Sequence, residues 1–109
     1  MTALQTGLTL GLDAQQQPVV LDLSMANRHG LIAGATGTGK TMTLRAMAEQ
    51  FSQAGVPAFL VDVKGDVSGF GLPGVMTDGL QKRLAQTGHP APAFQAYPSV
   101  LWDVVGQTG

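Results

Sequence analysis

The residues best suited to chemistry lie together in Gly34-Ala35-Thr36-Gly37-Thr38-Gly39-Lys40-Thr41, which fits the pattern G-x-x-x-x-G-K-[ST]. Backbone N–H groups can curl around an anionic phosphate only where the chain tolerates positive φ and close approach, and glycine allows both. A helix opening straight from such a loop turns its own unpaired N–H groups and its dipole toward the same anion. In that setting residues Gly34, Ala35, Thr36, Gly37, Thr38, Gly39, Lys40 and Thr41 form a phosphate cradle. Lys40 is placed to reach the β- and γ-phosphates as a point charge, and the Thr41 hydroxyl to ligate a bridging Mg²⁺. ATP and Mg²⁺ are the expected cofactors.

Hydrolysis asks for more than a cradle. A carboxylate is needed near the metal and, in many ATPases, a glutamate that activates water. Asp62 ends the run VPAFLVD. In a parallel sheet that position shares the carboxyl edge with the phosphate loop. Two roles stay open for it: a catalytic, metal-side carboxylate alongside Lys40, or a residue that shapes the DVKGD turn. Lys64 and Asp66 in that turn read as a solvated pair. Glu49 is the only Glu in the chain. It lies nine residues past Lys40, about 13 Å along a helix axis, out of reach of a γ-phosphate. The chain therefore holds no plausible catalytic glutamate. His29 falls about 16 Å from the phosphate edge if the segment is a strand, and reads as structural. His89 and Arg28 read as surface groups, and Phe94, Tyr97 and Trp102 as packing residues.

The elements that must position the loop are legible from periodicity. GLTLGL places Leu8, Leu10 and Leu12 at period two, DAQQQ breaks the run, and PVVLDL alternates again from Pro18 to Leu23. This predicts a β-hairpin lead-in over 1–28, closing with a linker, SMANRHG. GLIAG, Gly30 to Gly34, has no alternation and reads as a strand buried on both faces. From Lys40 the period turns helical, with Leu44, Met47, Ala48 and Phe51 on one stripe, and Gly55 with Pro57 stops the helix. VPAFLVD then returns as a second buried strand. Residues 29–66 thus have the order and size of one βαβ unit. Over 67–109 the signal weakens to a Gly-rich loop, a short helix near Leu80 to Gln86, and two extended runs, AFQAYP and SVLWDVV.

Composition sets the outer bounds. Six Lys and Arg against seven Asp and Glu give a net charge of -1, which excludes a polybasic nucleic-acid binder. With 44% apolar residues the chain is too hydrophobic to be disordered. No apolar run approaches the roughly 18 residues of a membrane span, and MTALQTGLTLGLD lacks the basic start of a secretory leader. Zero cysteines exclude disulfides and Cys-ligated metals. A cytoplasmic protein with no membrane association is expected. Only 12% of residues are charged, about half the usual share, as suits a segment whose faces are covered by more protein.

NRHGLIAGATGTGKT followed by GVPAFLVDVKGD, with the flanking LGLD…PVVLDL and FQAYPSVLWDVVG stretches, resembles the bacterial HerA-like helicases and ATPases of the FtsK/HerA superfamily, over the N-terminal third or less of their length. The resemblance implies an α/β fold, part of a RecA-like, doubly wound P-loop NTPase with a parallel sheet, preceded here by the hairpin. It also implies ATP and Mg²⁺ contacts at Gly34 to Thr41, homo-oligomeric rings, and action on DNA; the DNA expectation rests on the family alone. The family's acidic Walker B pair lies further along the chain and has no match here, which weighs against Asp62 as its principal member. The expected function is ATP binding and, in the complete protein, ATP hydrolysis by a helicase or translocase-type motor. The alternative is a nucleotide-binding regulatory or assembly module that does not hydrolyse.

Overall fold

A computed structural model describes residues 6–62, 73–88, 94–103 and 106. The chain divides into two units, Met1–Phe59 and Leu60–Gly109.

The first unit opens with the expected hairpin. Strands β1 (Gly7–Leu12) and β2 (Pro18–Asp22) pair antiparallel, with Leu8 opposite Leu21 and Thr9 opposite Val20. The register slips between Thr9 and Gly11. Leu10 is therefore an extra residue on β1, a bulge, and it interrupts the period-two pattern. Leu8 is wholly buried whereas Leu10 is exposed. The DAQQQ loop is held by Asp13, whose carboxylate accepts from the N–H groups of Gln15 and Gln17 at 2.9 and 2.8 Å. The linker after β2 is not featureless. Leu23–Met25 form a single 3-10 turn, capped by the Asp22 carboxylate accepting from the Ser24 N–H at 2.8 Å and hydroxyl at 2.7 Å.

Helix α1 (Lys40–Gln53) starts where the period changed. Its apolar stripe is partly realised: Ala48 is buried, Met47 and Phe51 are half-buried, and Leu44 is 40% exposed. The far end closes as a Schellman motif. Gly55 has φ 79°, its N–H donates to the Ser52 carbonyl, and the Val56 N–H reaches back to the Phe51 carbonyl at 2.8 Å. On β1, the Gln50 side-chain amide accepts from the Thr9 N–H at 2.7 Å and donates to the Thr9 carbonyl at 2.9 Å. It pairs with the strand edge as a neighbouring peptide group would.

The expected parallel sheet is not laddered among the described residues. The only sheet among the described residues is the two-stranded hairpin. Gly30–Gly34 is not laddered, and Leu31 is 90% exposed. The stretch 56–62 is not laddered either, with Phe59 at 78% and Val61 at 81%. A non-alternating apolar run is stable as a strand only with pairing neighbours and cover on both faces. No described strand pairs with either one. His29 accordingly lies on an irregular, exposed segment rather than at a strand's start.

The second unit contains α2 (Asp78–Thr87), which begins about half a turn before the expected Leu80. The Thr77 hydroxyl caps it, accepting from the Leu80 N–H at 3.2 Å, and Gly88, at φ 72°, ends it. The described residues of the two expected extended runs, 94–103, form no ladder, and Val100, Leu101 and Trp102 are exposed. Phe94 packs its ring against the Cα of Gly74, where any Cβ would sit 2.6 Å from the ring. Lys64, Asp66 and His89 lie outside the described residues. Among the described residues the arrangement is a small α/β one of a hairpin and two helices.

Candidate functional site

The loop between the apolar run and α1 is curled, not extended. Gly37 and Gly39 take φ of 81° and 101°, values that cost an L-residue with a side chain about 1–2 kcal/mol. The Thr38 N–H turns back to the Ala35 carbonyl at 3.3 Å, and the Thr38 hydroxyl donates to the same oxygen at 2.7 Å. The Lys40 ammonium folds over this curl, donating to the carbonyls of Gly34 at 2.7 Å and Ala35 at 2.9 Å. One short segment thus gathers two left-handed glycines, a cation and a hydroxyl.

Helix α1 enters from Gly39, whose left-handed backbone serves as N-cap and which makes no side-chain capping bond. The first helical bond is Thr43 N–H to the Gly39 carbonyl at 3.0 Å. Serine, threonine or aspartate at the cap would place an oxygen over the amides of the first turn. Glycine leaves those donors uncapped, with the positive end of the dipole behind them. The first turn of α1 has no acidic residue to oppose an anion. Chemically, the segment can bind an anion through main-chain amides and one ammonium. It contains no carboxylate and no imidazole. Thr41 is the second residue of α1 and exposed, so its hydroxyl is accessible to a cation held beside the loop.

A cavity of about 300 Å³ adjoins the helix, lined by Gly30, Ile32, Lys40, Thr41 and Leu44. Its lining includes none of Gly34–Gly39 and is largely apolar. It lies between the unladdered run and the start of α1, and Lys40 and Thr41 are the loop residues on its wall.

Of the other expected site residues, Asp62 is an exposed residue of the second unit. Glu49 is half-buried on α1, two and a half turns beyond Lys40. Among the described residues there is no cluster of His, Cys, Asp and Glu able to hold a metal. Two side chains carry more structure than their types suggested. Gln50 lies off the apolar stripe of α1, and no sequence signal joins it to Thr9. Thr38, expected as one residue of the phosphate cradle, also ties the loop to itself through its hydroxyl.

The family described as Helicase HerA-like C-terminal matches residues 8–109, and the chain belongs to that HerA-like family. It is also similar to the ESX secretion system protein EccC of Thermomonospora curvata, at 37% identity over 75 residues, covering 61% of this chain. The chain spans about 6% of the length of that relative. No solved structure matches the chain.

Proposed function

We propose that this chain supplies the nucleotide-binding, N-terminal part of a P-loop motor ATPase, of the helicase or translocase type found in the HerA-like family. The single observation that carries the reading is the curled Gly34–Thr41 loop feeding an uncapped helix, with Lys40 folded over it. That donor set fits the triphosphate of ATP: main-chain amides at Gly37, Gly39, Lys40 and Thr41 for phosphate oxygens, and the Lys40 ammonium for their charge. Thr41 fits a Mg²⁺ ligand through its hydroxyl. A bound Mg²⁺–ATP would supply the phosphoanhydride whose hydrolysis powers a motor. This chain's own residues hold and orient its phosphates. Lys40 is the residue of the reacting site. Asp62 remains the candidate carboxylate within the chain, with a glutamate contributed by protein outside it.

The family's rings suggest a homo-oligomer acting in the cytoplasm. DNA is the proposed track on family grounds alone, since a net charge of -1 contributes no attraction to it. No described helix is long and apolar enough to cross a membrane. A second reading, a binding module that does not hydrolyse, is favoured by Glu49 being the sole glutamate and lying far along α1.

Calorimetric titration of the full-length protein with Mg²⁺–ATP, with and without Lys40→Ala, tests the first reading. Binding lost in the variant supports it; equal affinity in both overturns it. Multiple-turnover phosphate release by the 109-residue chain itself would exclude the binding-only module.

A further inference from the structure

The Ala35 carbonyl oxygen is oversubscribed. It accepts from the Thr38 N–H at 3.3 Å, the Thr38 hydroxyl at 2.7 Å and the Lys40 ammonium at 2.9 Å, three donors to two lone pairs. The shortest of these is the hydroxyl. Lys40 is shared a second time, with the Gly34 carbonyl at 2.7 Å. A separate observation concerns the same hydroxyl: a Cβ built on Gly34 would lie 2.6 Å from Thr38 Oγ1. The missing side chain at Gly34 is therefore what admits the hydroxyl, and the two positions are sized for one another.

We infer that Thr38 is a positioning residue, whose hydroxyl braces the loop through the Ala35 carbonyl and frees Lys40 to exchange that carbonyl for a phosphate. The inference rests on the nucleotide-binding reading above and deepens it. When Lys40 turns toward an anion, Ala35 loses its ammonium. With Thr38 in place the carbonyl keeps a strong donor and the curl keeps its shape. Without the hydroxyl, the ammonium is the only strong donor the chain itself supplies, and moving it leaves the exposed carbonyl to the long Thr38 N–H bond and to water, so the curl loses its internal tie. Ligand binding must then carry that cost. Valine removes the hydroxyl while preserving shape; serine restores it without the methyl. The brace acts on the loop and not on the base, so any linear triphosphate should feel it equally.

The test is titration of the full-length protein with Mg²⁺–ATP and, separately, with inorganic tripolyphosphate. Thr38→Val should weaken both ligands by the same factor, about five- to tenfold, the worth of one neutral hydrogen bond. Thr38→Ser should return both to within about twofold of the parent, which packing alone would not produce. Thr38→Ala, read beside the valine variant, carries the test if valine does not fold. Parental affinity in both the valine and alanine variants overturns the inference, as does a serine variant as weak as valine. Lys40→Ala separates the two levels. If it abolishes binding while Thr38→Val binds as the parent does, only the brace is wrong. If Lys40→Ala binds as the parent does, the nucleotide reading itself has failed.

Discussion

The two ends of α1 are built on opposite plans. At the C-terminal end, Gly55 and Val56 return to the carbonyls of Ser52 and Phe51, and the helix is closed by its own chain. At the N-terminal end a left-handed glycine stands where a capping side chain would normally be, and the amide donors stay uncapped. Both ends place glycine at positive φ, Gly39 at 101° and Gly55 at 79°, so both give up the same backbone preference. One end uses it to satisfy hydrogen bonds internally, the other to keep donors available. One terminus is closed by the chain itself; the other, on the proposed reading, is left for a ligand.

The largest expected difference between the ends comes from the charge. Lys40→Ala should weaken Mg²⁺–ATP binding by about a hundredfold, roughly 3 kcal/mol, the upper range for hydrogen bonds to a charged group. The unfolding midpoint in urea should move little, because the ammonium's partners are exposed carbonyls that water can serve. A variant that loses stability but keeps its affinity would reverse the assignment of this end.

Next come the two glycines. A methyl at Gly39 or Gly55 meets nothing within 4 Å, so φ alone sets the penalty. Each alanine should cost about 1–2 kcal/mol of stability in chemical denaturation. Only Gly39→Ala should also lower nucleotide affinity. Equal effects of both on binding would erase the contrast between the ends.

The contact between α1 and β1 predicts a smaller change. Gln50→Ala removes both bonds to Thr9 but leaves an exposed peptide that water can satisfy, for a loss of about 1 kcal/mol. Hydrogen exchange at the Thr9 amide should accelerate in the variant while exchange at the Gly55 and Val56 amides stays unchanged.

The smallest effect belongs to Asp22. Its carboxyl is held below the usual carboxylate value first by the Ser24 hydroxyl and then by the Ser24 N–H. A lowered folded-state pKa means the contribution is present above the unfolded value near 3.8 and fades as pH falls through the folded one. Removing it with Asp22→Ala should leave a slight destabilisation at neutral pH that vanishes in acid, read by thermal melts across that range.

How much of this could be read from the residues alone varies with how local the cause is. Helix α1 announced both its ends, since a period change and a Gly-x-Pro stop are properties of neighbouring residues. The hairpin was equally legible, although nothing in GLTLGL marked Leu10 as the bulge. Helix α2 begins before its apolar positions because Thr77 caps it, a signal carried by Thr77-Asp78 rather than by the apolar spacing. The runs at Gly30–Gly34 and 56–62 were read as strands from apolar content, but a ladder belongs to a pair of segments and no single run specifies its partner. The same limit hid the Gln50–Thr9 bonds. The loop's glycines and lysine were visible from their spacing; the Thr38 hydroxyl on Ala35 was not, because it depends on where a carbonyl points.

On the proposed reading, the amides at the head of α1 receive phosphate. Titrating ¹⁵N-labelled protein with Mg²⁺–ATP and following amide resonances tests it residue by residue. Gly37, Gly39, Lys40 and Thr41 should shift most, while Gly55 and Val56 at the closed end stay in place. Saturable binding that leaves those four resonances unmoved and perturbs another part of the chain would contradict it.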